Sequence, residues 1–91
     1  MTLETTVFTF NISVSYDQWV AGFDSQEISK MHDEHGIKPL FRGVNSNDHK
    51  NVIVIHQAEE GVARAFFEAN REPIEASGHI WDSTEITSWK S

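Results

Sequence analysis

Cysteine is absent from the 91 residues, which excludes disulfides, thiolate zinc sites and a thiol nucleophile. Basic residues are scarce: 7 Lys and Arg stand against 14 Asp and Glu, a formal charge of -7. No Lys or Arg cluster interrupts that acidic excess, so nucleic acid and anionic membrane are disfavoured partners, because a basic patch is what holds both. Long apolar runs are missing too. The most apolar stretch, around Val52 to Ile55, falls far short of the ~20 residues that span a bilayer. Met1 to Thr6 lacks a basic start leading into an apolar run, so no secretory leader is expected and the cytoplasm is the simplest location. Neither GxGxxG nor a Walker-type glycine-lysine run occurs, which leaves no phosphate loop.

What is present fits one domain spanning residues 1–91. A core of this size buries only roughly two thirds of the surface of the unfolded chain. With no disulfide or metal framework in view, association with a second copy is the expected further source of stability.

Phe8, Phe10, Ile12 and Val14 alternate with Thr9, Asn11 and Ser13, so residues 5–14 read as a strand with one buried face. Ser15 stands three residues before Gln18, the spacing of a capping box, and opens a helix. Trp19, Val20 and Phe23 begin an apolar stripe that Ile28 and Met31 resume, with Glu27 where an apolar residue would continue it. Helical content is therefore expected from 16 to about 34, ending at Gly36; Gly22 and the Asp24-Ser25 pair weaken it, which leaves open a break or kink near residue 24 or a continuous helix. Residues 37–44 and 51–57 form a hairpin around the polar stretch 45–50, and Pro39 assigns the first of these strands to an edge or to an outward-facing start. The second hairpin strand is apolar on both faces. A second helix is expected over 59–70, with one more turn at 72–77 that starts near Pro73 and stops at Gly78. A last strand at 80–86 and a tail carrying Trp89 complete the chain.

The order β-α-β-β-α-β defines an α+β, ferredoxin-like fold: a four-stranded antiparallel sheet with two helices on one face. The helices cover only that face, yet Val52 to Ile55 is apolar on both, so a second copy of the sheet is expected on the other. Three stretches, Trp19-Val20-Ala21-Gly22-Phe23-Asp24-Ser25, Gly36-Ile37-Lys38-Pro39-Leu40-Phe41-Arg42-Gly43 and Val52-Ile53-Val54-Ile55-His56-Gln57, resemble a family of small cyanobacterial proteins of unknown function. The layout is similar to the dimeric α+β barrel superfamily, which includes antibiotic-biosynthesis-type monooxygenases. That resemblance implies a homodimer, and chemistry that needs no cofactor.

His56 ends the central strand on the face shared by Val52 and Val54. Facing a cavity under the helices it would be neutral at pH 7 and serve as base or hydrogen-bond partner; otherwise it is a strand-end histidine satisfied by a backbone carbonyl. His79 and Trp81 open the last strand. In a pocket of the kind that the resembled monooxygenases use, Asn11, Trp19, Trp81 and Arg42 are loose counterparts of the Asn, Trp and Arg residues; as core or interface aromatics, Trp19 and Trp81 need no such role. His32-Asp33-Glu34-His35 places two imidazoles three apart on a helix end, which is too few converging ligands for a dedicated metal site, so both are expected at the surface and no metal is expected. Arg42, Lys38 and Lys50 suit either a small anion or the guarding of a sheet edge.

Two readings follow. One is a dimeric binder of a small apolar or aromatic molecule between helices and sheet, contacting His56, His79, Trp81, Trp19 and Arg42. The other is a cofactor-independent monooxygenase or isomerase with His56 or His79 as base.

Overall fold

A computed structural model describes residues 2–91; Met1, the first residue of the segment read for a leader, lies outside them. The elements in chain order are β1 (Leu3–Ile12), α1 (Tyr16–Phe23), α2 (Gln26–Glu34), β2 (Lys38–Asn45), β3 (Asp48–Glu59), α3 (Val62–Ala69), α4 (Arg71–Ala76) and β4 (His79–Lys90). The strands form one antiparallel sheet in the order β2-β3-β1-β4. This is the ferredoxin-like arrangement, with the first helical region realised as two short helices and the extra turn expected after the second realised as α4.

Local chemistry sets those breaks. Ser15 accepts from the Gln18 amide at the start of α1, and Ser25 accepts from the Ile28 amide at the start of α2, so the break near residue 24 is a second capped start. The other helical region departs from expectation. Residue 59 is still in β3, and Gly61, at φ 83°, turns the chain before α3 begins, because a left-handed backbone is open to glycine at little cost. The acidic pair Glu59-Glu60 therefore precedes the helix instead of occupying its first turn. The polar stretch 45–50 also shortens to a two-residue turn at Ser46 and Asn47, with Asn45 and Asp48 paired across it.

One face of the sheet is built from the even-numbered residues of β1 and β3. Phe8 opposes Val54 and Phe10 opposes Val52, and these four, with Ile12, Trp19, Ala63 and Phe67, make the buried core under the helices. Thr6 opposes His56 on the same face. The opposite face carries half-buried Val7, Ile53 and Ile55 with exposed Phe41 and Trp89. β2 is an edge strand, one of the placements that Pro39 allows.

β4 runs to Lys90, so the expected tail is strand and Trp89 pairs with Thr5. Its register against β1 slips between Thr9 and Asn11. Ser83 stitches the slipped segment, accepting from the Asn11 amide at 2.8 Å and donating to the Ile80 carbonyl at 2.6 Å. Bulges of this kind re-aim side chains: Trp81 stacks on Phe67 at 4.4 Å between ring centroids, and the Arg71 guanidinium lies over its ring at 4.9 Å. Among the described residues no helix is long and apolar enough to cross a membrane.

Candidate functional site

Between the helices and the sheet lies a cavity of about 480 Å³, within the range of small-molecule pockets. Its floor is Phe8, Phe10, Val54 and His56 of the sheet. Trp19, Phe23, Ile28, Met31 and His32 wall it from α1 and α2, and Phe66, Phe67 and Ile74 from α3 and α4. His79 adds to the lining at the β4 side, and the polar Ser25, Asn70 and Ser77 join it from the helix ends. Among the described residues no Asp, Glu, Lys or Arg lines it.

The aromatic packing is continuous. Phe8 contacts Phe67 at 5.1 Å and His56 at 5.7 Å, while Phe10 meets Trp19 at 5.6 Å and stacks on His79 at 3.8 Å. Each such ring pair adds about 0.5–1.5 kcal/mol to the burial of its area. The floor is thus held rigidly.

His56 is 7% exposed, and its Nε2 is enclosed without a hydrogen-bond partner; the same holds for Thr6 Oγ1, across the strand pair. Burial pushes the His56 imidazole down to about 4, helped by the neighbouring His32, so it is neutral at pH 7. His79 is likewise pushed down to about 4 by burial, against a weak opposing pull from Glu75. Its Nε2 is engaged, 2.6 Å from Thr84 Oγ1.

His32 departs most from expectation. It is only 5% exposed and is the buried residue of α2. Its ring lies 4.9 Å from that of His56, 5.4 Å from Phe23 and 5.7 Å from Phe66, and burial, then His35, lowers its pKa. His35 is exposed, with Nδ1 2.8 Å from the Met31 carbonyl of its own helix. The two imidazoles expected together at the surface therefore divide between cavity and solvent. Ile28 and His32 are four apart and Met31 is adjacent, which places His32 on the apolar stripe of α2; that spacing was the readable signal. Among the described residues no three His, Asp or Glu side chains gather into a metal-binding set. EDTA is expected to leave the melting temperature unchanged, and a large drop on chelation would reveal a site.

Of the other residues singled out in the sequence, Trp19 lines the cavity, while Trp81 and Arg42 stand outside its wall. Arg42 makes a two-pronged pair with Asp24, its Nε 2.9 Å from Oδ1, tying the α1–α2 junction to β2. That pairing holds the Asp24 carboxyl below its usual range. Asn11 is exposed, and its side-chain oxygen accepts from the Asn51 amide at 3.1 Å. Lys50 donates to the Val14 carbonyl at 2.9 Å.

Residues 3–91 match the domain of unknown function DUF3764. The chain belongs to that family. No curated protein matches the sequence. Among solved structures the chain is similar to a protein from Nitrosomonas europaea with the provisional name antibiotic biosynthesis monooxygenase. The TM-score is 0.58 at 13% identity, over 99% of this chain and 90% of that one. It is also similar to the apo form of CPII from Thiomonas intermedia K12, a nitrogen regulatory PII-like protein. There the TM-score is 0.53 at 11% identity, over 100% of this chain and 92% of that one. At these identities the likeness is one of fold.

Proposed function

We propose that this member of the DUF3764 family is a homodimeric, cytoplasmic binding protein that holds a small apolar or aromatic molecule between helices and sheet. The observation that carries the reading is the cavity of about 480 Å³ with aromatic walls and a few polar groups, the composition of a ligand pocket. The fold is compatible with a non-enzymatic role, since one similar structure is named as a regulatory protein. A thermal-shift screen of uncharged aromatics tests it. At least one is expected to raise the melting temperature, and Met31→Trp, which adds bulk from the half-buried α2 wall, is expected to abolish that shift. A screen in which no uncharged aromatic stabilises the parent protein would sink the reading.

The dimer rests on the open sheet face, where Val7, Ile53, Ile55, Phe41 and Trp89 present apolar surface that the helices do not cover. Joining two such faces would bury on the order of 1,500 Å². Light scattering at micromolar concentration is expected to give twice the 10.4 kDa chain mass, and Phe41→Glu with Ile53→Glu to give the monomer. The monomer mass for the parent protein would rule the dimer out.

Cofactor-independent oxygenation or isomerisation is the second reading. The neutral, partnerless His56 among apolar walls favours it, as a general base needs such a position. His79 suits that role less, because Thr84 occupies its Nε2. Oxygen uptake or isomerised product on incubation with a screening hit would promote this reading above binding alone.

A further inference from the structure

The cavity is a cleft between two helix pairs, and each pair is fastened to the sheet separately. On one side Trp19 of α1 meets Phe10 of β1 at 5.6 Å, and Arg42 of β2 binds Asp24 at the α1–α2 junction. On the other, Phe67 of α3 packs on Phe8 at 5.1 Å and on Trp81 of β4 at 4.4 Å. Little joins the pairs to each other. Among the described residues no hydrogen bond or ion pair links α1 or α2 to α3 or α4, and the two pairs touch sparsely.

One side chain bridges the gap. Consecutive residues of a helix point about 100° apart, so with Phe67 turned down to the sheet its neighbour Phe66 turns across the cleft. The Phe66 ring lies 4.8 Å from that of His35 and 5.7 Å from that of His32, and among the described residues these are the ring contacts between the two pairs. His32 is buried and Phe66 half-buried, both lining the cavity, whereas His35 is exposed and outside the lining. The contact thus runs from the cavity to the solvent.

Units that are well packed within themselves and joined by few contacts part at the junction before either comes undone. We infer that Phe66 is a clasp: it sets the resting width of the cleft, and the helix pairs part there to admit a ligand bulkier than the closed cavity. The clasp stands on the contacts alone, and its consequence for ligand size rests on the cavity as the ligand site.

Spin labels on the two walls test the clasp. Since the chain has no cysteine, Lys30→Cys on α2 and Glu68→Cys on α3, both exposed, take one label each. The labelled chain is diluted into unlabelled protein so that each measured pair lies within one chain. Pulsed electron resonance is expected to give one narrow distance for otherwise unaltered protein, and a broader one, longer by more than about 2 Å, for Phe66→Ala. His35→Ala removes the outer contact and takes nothing from the cavity wall; it should change the distance in the same sense, and it decides the matter where Phe66→Ala does not fold. An unchanged distance in every variant that folds overturns the clasp. Two uncharged fluorescent probes, prodan and the bulkier Nile red, read the consequence. Seating the larger one has to break the ring contacts, so His35→Ala is expected to tighten Nile red about threefold or more, the scale of one ring pair, and to leave prodan unchanged. Equal changes for the two probes, or none for Nile red, overturn the role of the clasp in ligand size. Binding of neither probe overturns the cavity reading and the size assignment together, while the distances still decide the clasp.

Discussion

Acidification from pH 7.5 to 4.5 is expected to remove several kcal/mol of folding stability. His56 and His79 titrate at about 4 in the fold and at about 6.5 in the unfolded chain. Above pH 6.5 both states hold these groups neutral, so they contribute no pH dependence. Below it the unfolded chain takes up protons that the folded one refuses, and stability falls until the pH reaches the folded pKa near 4. Each histidine contributes a slope of at most about 1.4 kcal/mol per pH unit, lessened because the cavity is partly open to water. His32, lowered by burial, adds in the same sense. A domain of ordinary stability has about 5–15 kcal/mol to lose. Urea melts at fixed protein concentration between pH 7.5 and 4.5 measure the slope, and His56→Gln with His79→Gln should flatten it. A parent protein equally stable at pH 7.5 and 5 would show that these imidazoles take up protons in place.

Gly78→Ala is expected to lower the melting temperature by about 12–24 °C. Gly78 sits at φ 102°, a backbone region that costs an L-residue about 1–3 kcal/mol. An added Cβ would also lie 2.8 Å from Val14 Cγ2 and 3.0 Å from its Cγ1, and a β-branched side chain has little freedom to withdraw. Together these come to about 3 kcal/mol, and each kcal/mol moves the midpoint by about 4–8 °C in a domain of this size. The position is also structural through its backbone, since its carbonyl accepts from the Ser13 amide at 2.8 Å and joins the end of α4 to the end of β1. Gly22→Ala is the control. It lies within α1 with nothing in 4 Å of the added Cβ, so it should be neutral or stabilising by up to about 1 kcal/mol. Equal effects from the two substitutions would remove the steric account of Gly78.

The local features above were readable because their causes are local. Alternation over Phe8, Phe10 and Ile12 gives a two-faced strand. Ser15 and Ser25 each cap a helix through an amide three residues on, and Pro39 limits its strand to an edge or an outward-facing start. The two-faced apolar run at Val52 to Ile55 likewise anticipates a face that the helices leave open. The β4 bulge was not readable, because it depends on Ser83 reaching Asn11 across the sheet. Nor does periodicity alone announce that Glu59 stays in β3 until Gly61 turns the chain.

For the candidate site, sequence by itself determined that His56 shares one face of its strand with Val52 and Val54, since a period of two admits no other assignment once the strand is fixed; because that run is apolar on both sides, it left open which face the helices cover. It determined too that no thiol, phosphate loop or basic surface takes part. The spacing of Ile28, Met31 and His32 already placed His32 on the apolar stripe of α2, but only the tertiary structure decided that its ring meets His56 at 4.9 Å, and that Trp19 lines the cavity while Trp81 and Arg42 stand outside it. These outcomes depend on how α2 and α3 settle against the sheet. That angle follows from the summed packing of side chains distant in sequence, with Phe23, Phe66 and the histidines filling the same space, and no spacing within one segment encodes it.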